Sequence, residues 1–312
     1  MAEEQMKTEA QETREVQTNA ENHAPRPRKR KKEREFRRVK SVPPMTAMIP
    51  FIMVNRVGAQ NFIHDTTDVE KLERYIKEKQ QAGMVNLSMM HVMIAAYIRL
   101  VAARPALNRF IRGQRIWTRR HVEVSLVIKK EMRLDAPDSA VKISLLPDAT
   151  LEDVYNALND KIVSYRDNPE SSFDDTARWL SSIPSLFLKF TIAFLRFLDY
   201  FGLLPKALAE VSPFHCSYFI TSMGSLGIPP IYHHLYDFGT CPVFFAFGAK
   251  RRVYETDSSG VVKKKQYMDY TFVTDERICD GYYYASALKY LHSIFRNPWQ
   301  LDERPEVIPD VD

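Results

Sequence analysis

The sequence predicts an α+β domain: a mixed or antiparallel sheet with flanking helices. Three observations predict it. Helical and strand-like patterns follow one another along the chain without regular βαβ alternation. One helical run, residues 87–103, is apolar on nearly every side and therefore belongs inside a core. Three strand-like runs come late and a single helix follows them. With 312 residues, 45% apolar and 12% aromatic, the chain can bury one large core or two small ones.

Residues 1–42 read as a disordered basic tail. Glu, Gln, Lys, Arg and Thr dominate there, and so few aliphatic side chains cannot offset the entropy of ordering. Charge is unevenly divided. Residues 1–25 carry two basic and six acidic side chains, residues 26–40 carry ten basic and two acidic, and the rest of the +5 chain is close to neutral. The basic run reads as a solvated solubility tail or as a short electrostatic tether for an anionic surface, so weak membrane-surface contact stays open and nucleic acid is not an expected partner. The N-terminus has no apolar stretch of the secretory kind, which makes the cytoplasm the expected location. Cys216, Cys241 and Cys279 lie far apart and form no CxxC pair. They read as reduced thiols, and no metal-ligand spacing surrounds them, so no metal is expected.

The expected folded domain spans residues 43–300, with a short tail at 301–312. Asp68 precedes a helix in which Val69, Leu72 and Ile76 share a face, and Gly83 ends it. Residues 87–103 approach the length of a membrane span, but His91, Arg99 and the Arg104-Pro105 stop favour a core helix. His121–Lys130 alternates as a strand, and Val141–Leu146 follows it after a turn. Thr150 caps a helix over Leu151–Val163. Ser217–Ser222, Val243–Gly248 and Gln266–Thr274 are the late strands, and Gly281–Phe295 is the closing helix, stopped by Asn297-Pro298. Ile183–Leu204 carries only Lys189, Arg196 and Asp199 as charges, all placed on one stripe at 100° per residue. It is expected as a helix docked on protein, with a membrane-surface helix or the wall of an acyl pocket as the other readings.

The run Asp275-Glu276-Arg277-Ile278-Cys279-Asp280-Gly281 is similar to the DHRxxDG signature of dihydrolipoyl acyltransferases and to the related HxxxDG of chloramphenicol acetyltransferases. Glu276 stands at the histidine. Phe219 to Gly227 resembles the FTISNLGxxG element of the same superfamily, at a similar distance upstream. Pro105-Ala106-Leu107-Asn108 resembles its hPxLN turn, and Arg56 falls where those proteins often place an arginine. The resemblance spans about residues 45–300. It implies a chloramphenicol-acetyltransferase-like sandwich that forms a homotrimer, with active sites in channels between subunits and coenzyme A and an acyl acceptor entering from opposite ends. In that superfamily the histidine takes a proton from the attacking thiol or hydroxyl, and a Ser or Thr hydroxyl steadies the oxyanion. Carried over, Glu276 is the base, Thr221 the oxyanion donor, and Asp280 a structural aspartate expected to pair with an arginine such as Arg56. Taken alone, Asp280-Gly281 reads most simply as the cap of the last helix, a role compatible with that pair. No lipoyl-lysine motif precedes this region, so a dehydrogenase-complex core is not the expected assembly. Residues 170–212 are a longer and more apolar insertion than the superfamily carries.

A carboxyl group starts about 2 pKa units below an imidazole, roughly 3 kcal/mol of lost driving force for proton removal. Burial in a channel narrows that gap. The function expected is therefore acyl transfer between coenzyme A and a thiol or hydroxyl. The alternative is a catalytically silent protein of the same fold, in which Glu276 is a salt-bridge residue and the chain is a binding or scaffold component. His233 and His234 cannot face one way in a strand; one of them is a candidate replacement base, and both are otherwise packing residues. Tyr282-Tyr283-Tyr284 either lines a channel mouth or packs on the sheet. Gly224, Gly227 and Gly239 match no phosphate-binding loop.

Overall fold

A computed structural model describes residues 35–129, 138–167, 178 and 180–311. Its strands are β1 Phe36–Arg38, β2 Gln60–Asp68, β3 Arg109–Arg112, β4 Arg115–Arg119, β5 Val122–Lys129, β6 Asp138–Leu145, β7 Tyr218–Ser222, β8 Val243–Thr256 and β9 Val262–Asp275. Its helices are α1 Pro44–Ile52, α2 Glu70–Gln81, α3 Met89–Ala103, α4 Leu151–Asp167, α5 Ser185–Phe201, α6 Lys206–Val211 and α7 Gly281–Arg296. Six strands form one sheet in the order β2-β9-β8-β7-β5-β6, and β1-β4-β3 form a second, smaller one. β7 runs parallel to both β5 and β8, and the other pairings are antiparallel, so the large sheet is mixed as its sequence predicted.

α3 lies at the centre. From His91 to Ala102 every residue is buried, which is why the run is apolar all round. Each fully buried Ile, Leu or Val there contributes about 1.5–3 kcal/mol. Its two polar residues find partners near the helix ends: His91 Nδ1 lies 2.8 Å from Ser88 Oγ in a capping box, its Nε2 being buried without a hydrogen bond, and Arg99 donates to the Glu303 carbonyl at 2.7 Å. Helices α2, α4 and α7 pack around α3. The helix starts follow their sequence signals: the Asp68 carboxylate accepts from Glu70 N at 2.9 Å, and Thr150 and Asp153 cap one another.

The sheet has two different faces. Tyr218, Ile220, Phe245, Phe247, Tyr270 and Phe272 point into the main core with α3, and Tyr97 stacks on Tyr218 with centroids 3.8 Å apart. On the other face Phe219, Phe244 and Val273 join Cys216, Leu235 and Cys241 in a small cluster of their own. Period-two alternation makes this division, and it decides where Thr221 points.

The structure corrects three boundaries. The chain is built into the fold from residue 35, because β1 pairs with β4 and Val39 is 4% exposed; residues 35–42 therefore do not belong to the tail. β8 and β9 extend to Thr256 and Val262 as a long hairpin whose outer half is polar and held by ion pairs such as Lys265–Glu255 at 3.1 Å, so its strand character left no hydrophobic alternation to read. The end of the chain is fastened rather than loose: Arg109 Nε donates to Asp310 at 2.8 Å, and Ile308 N donates to the Ala102 carbonyl. Parts of the 170–212 insertion lie outside the described residues. In the part described, α5 is not docked through its aromatic face. Only Asp199 of α5 is buried, 3.7 Å from Arg112 and 3.3 Å from His215, while Phe187, Phe190, Phe194, Phe197 and Phe201 face outward. The charged stripe thus divides: Asp199 turns inward, Lys189 and Arg196 outward.

Candidate active site

β9 carries the signature to the point where it leaves the sheet. Asp275, its last residue, is fully buried and accepts two hydrogen bonds from the Arg277 guanidinium, each at 2.8 Å, and one from the Arg277 N–H at 3.2 Å, with Arg56 Nε at 3.4 Å. Removing both cationic partners would leave an isolated buried carboxylate, so these three residues form one unit. Arg277 also donates to the carbonyls of Met53 and Val54, and Arg56 donates to the carbonyls of Tyr236 and Gly239. The network therefore fixes the segment 53–59 and the loop 236–239 against the end of β9. Arg56 was expected to pair with Asp280; its partner is Asp275 instead. Asp280 is exposed and caps α7, accepting from Tyr283 N at 2.8 Å, which its position before a helix explains.

Glu276 sits between Asp275 and Arg277. Its N–H donates to the Ala59 carbonyl at 2.9 Å and its half-buried side chain makes no hydrogen bond or ion pair among the described residues. Of the three carboxylates in the signature, it alone is uncommitted. Cys279 is no competitor as a reactive group, because burial pushes its thiol up to about 12. The Glu276 N–H meets the segment 54–62 at Ala59, and in that segment Val54, Val57 and Phe62 are all about half exposed or more.

Thr221 lies near the end of β7, on the face of Phe219, and its hydroxyl has no hydrogen-bond partner among the described residues. The turn after it is tight. A Cβ on Gly224 would stand 2.9 Å from the Gly248 carbonyl oxygen, so glycine lets this turn close onto β8. His233 covers the same face, its ring stacked on Phe244 with centroids 4.3 Å apart and its Nε2 buried without a partner. Burial holds His233 below the ordinary histidine range. His234 is exposed beside Tyr236. The histidines lie in an irregular loop, not a strand, and only His233 shares the Thr221 face.

Thr221 and Glu276 do not meet within one chain. Thr221 is registered with Ala246, and Ala246 with Thr271, five residues before Glu276. Two strand spacings and five residues put their Cα atoms about 10 Å apart across the sheet and about 17 Å along it, on the order of 20 Å in all. A reacting proton needs both groups within about 3 Å of the same substrate atoms.

The tyrosine run divides by role. Tyr284 is buried and donates to the Asp275 carbonyl at 3.0 Å, Tyr283 accepts from Ala106 N at 3.0 Å, and Tyr282 is 87% exposed. The sequence reading missed the Asp275–Arg277 pair, although two opposite charges flanking Glu276 were visible, and it missed the contact of Asp199 with His215. No group of three or more potential metal ligands occurs among the described residues.

No known family's sequence profile and no curated protein matches the chain. Solved structures do. A probable dihydrolipoamide acetyltransferase from Listeria monocytogenes is 12% identical over 82% of this chain and 94% of its own, with a TM-score of 0.50. The dihydrolipoamide acetyltransferase of Azotobacter vinelandii is 12% identical over 84% of this chain and 93% of its own, with a TM-score of 0.52. At such identities the likeness speaks for architecture, and that architecture is plain: the chain has the α+β fold, a mixed sheet with flanking helices, of these two dihydrolipoamide acetyltransferases.

Proposed function

We propose that the chain is an acyltransferase whose active site is completed between copies of itself, moving an acyl group between coenzyme A and a thiol or hydroxyl acceptor. The observation that carries this reading is the state of Glu276: one free carboxylate, held by its backbone between two side chains committed to a buried ion network. A surface salt-bridge residue would have a partner. The distance from Thr221 supports a site shared by neighbouring copies, and the exposed Val54, Val57 and Phe62 of the segment that Glu276 meets at Ala59 offer apolar surface for the second copy to cover. A threefold ring of such heterologous contacts closes into a trimer.

In this mechanism the Glu276 carboxylate accepts the proton of the acceptor thiol or hydroxyl as its sulfur or oxygen attacks the thioester carbonyl. The Thr221 hydroxyl of the neighbouring copy donates to the oxyanion, a contribution of about 3 kcal/mol when well aimed. Collapse of the tetrahedral intermediate breaks the C–S bond, and the departing coenzyme A thiolate takes the proton back from Glu276. The new ester or thioester leaves with the acceptor. The test is turnover of acetyl- and longer acyl-CoAs with small thiols and alcohols, read as acylated acceptor by chromatography. Glu276→Gln should lower the rate by about 10²-fold or more. Absence of turnover across chain lengths and acceptors, or a Glu276→Gln rate equal to that of the unaltered chain, overturns the proposal.

A further inference from the structure

α5 has three stripes. Leu188, Ile192, Leu195 and Asp199 turn toward the protein, partly or fully buried. Phe187, Phe190, Phe194, Phe197 and Phe201, spaced three and four apart, form an outward ridge and are each 57–66% exposed. Lys189 and Arg196 stand seven apart, roughly a third of a turn from the ridge, exposed and without an ion pair among the described residues. Leu186 and Leu203 lengthen the apolar strip at either end, each more than 60% exposed. So large a contiguous apolar face on a folded chain needs an occupant.

Charge says which one. Between Leu180 and Ala209 the only carboxylate is Asp199, and it is turned inward against Arg112 and His215. The outer face of α5 therefore presents aromatic rings and cations with no exposed acid. A second copy meeting it face to face would bring Lys189 and Arg196 against their own equivalents without a counter-charge. An anionic lipid surface suits both features, with the rings in the acyl–headgroup boundary and the long cationic side chains at the phosphates. No described helix is long and apolar enough to cross a membrane, and a helix of this kind lies along the interface instead. The sequence supplies a second signal. The basic run of residues 26–34 joins the fold covalently at Glu35, whose carboxylate is 4.0 Å from Lys206, just beyond the C-terminal end of α5.

We propose that the outer face of α5 docks this protein on anionic phospholipid, reinforced by the basic run that precedes Glu35 in the sequence. Two weak signals, an amphipathic face and a polybasic segment, together give stable and salt-sensitive attachment. The proposal does not depend on acyl transfer, since neither Glu276 nor Thr221 enters it.

Flotation of the full-length chain with phosphatidylcholine vesicles, with and without phosphatidylserine, tests it, alongside sedimentation velocity of each variant. The chain should float with phosphatidylserine vesicles, and less so in high salt. Phe190→Ser/Phe194→Ser, both at exposed positions, should weaken partitioning by about tenfold or more while leaving the sedimentation coefficient unchanged. Lys189→Glu/Arg196→Glu should weaken it by roughly fivefold per charge. Failure of the unaltered chain to float with anionic vesicles overturns the proposal, as does undiminished floating of the Phe variant. A Phe variant that floats normally but changes its oligomeric mass assigns the face to a second copy and overturns it too.

Discussion

If Glu276 and Thr221 act from different copies, two dead variants can restore one another. Glu276→Gln keeps a good Thr221, and Thr221→Val keeps a good Glu276. In a trimer each site takes one group from each of two neighbours. With copies mixed at random and in equal amounts, a site is intact when its base comes from a Thr221→Val copy and its donor from a Glu276→Gln copy. The chance is one half for each, so about a quarter of all sites are restored. Each variant alone should retain a hundredth of the rate or less, from the loss of the base or of about 3 kcal/mol of oxyanion stabilisation. The contrast is therefore on the order of 25-fold. The assay is co-expression of the two variants with different tags, sequential purification on both tags, and turnover of acyl-CoA by the mixed oligomer. Two-tag selection removes pure homotrimers and raises the recovered share to about a third. A mixed oligomer no more active than its parents would refute the shared site, because the on-the-order-of-20 Å separation inside one chain leaves no other way for the two groups to meet.

Other outcomes follow from the geometry. Asp275→Asn leaves Arg277 and Arg56 buried without their counter-charge and should destabilise the fold by about 3–5 kcal/mol, read from urea midpoints. Gly239 has φ +88, and a Cβ there would stand 2.3 Å from the Phe214 carbonyl oxygen. Gly239→Ala should therefore cost about 2 kcal/mol or more and loosen the loop that Arg56 holds. Burial keeps His215 below the ordinary histidine range, although Asp199 lies 3.3 Å away. The unfolded chain then takes up this proton first, so stability should fall as pH drops below about 6.5. Asp199 is itself held low and adds its own loss only below about pH 4. In His215→Gln, urea midpoints measured across pH should show a shallower slope in the upper window and, because His215 is also the leading group that holds Asp199 low, a shallower one in the lower. His233→Asn, which keeps the stack on Phe244 only in part, should leave turnover within a few-fold; a loss as large as that of Glu276→Gln would make His233 the base.

The buried helix and the mixed sheet were legible because burial on one face or all faces leaves a period in the sequence. α3 shows it best, with twelve consecutive buried residues in an almost unbroken apolar run. The outer half of the β8–β9 hairpin left none, since Lys263, Lys264 and Lys265 are exposed or half-exposed, and Lys263 and Lys265 are held by ion pairs to Asp257 and Glu255. β1 was illegible for a related reason: Phe36-Arg37-Arg38 is half covered and sits within a basic run that reads as tail. At the site, the sequence showed that Thr221 lies in a late strand and that Glu276 lies between the last strand and the closing helix. It did not reveal that Asp275 rather than Asp280 holds Arg56, because both acids suit an arginine and only the buried end of β9 selects between them. For α5 the composition was read correctly as helical. Its exposure was hidden, since apolar content is the same whether a ridge meets protein or something else.

The register between β2 and β9, with Gln60 opposite Asp275, and the Arg109–Asp310 contact join residues some two hundred positions apart. Such distant pairings slow a chain's search for its native state and leave early strands waiting for late ones. During synthesis β2 has no ladder partner until β9 has been made, and the central helix keeps its C-terminal end uncovered until Ile308 arrives. The nascent chain thus carries an unpaired strand and an apolar helix for most of its elongation, which makes it a natural client for chaperones and sensitive to synthesis rate.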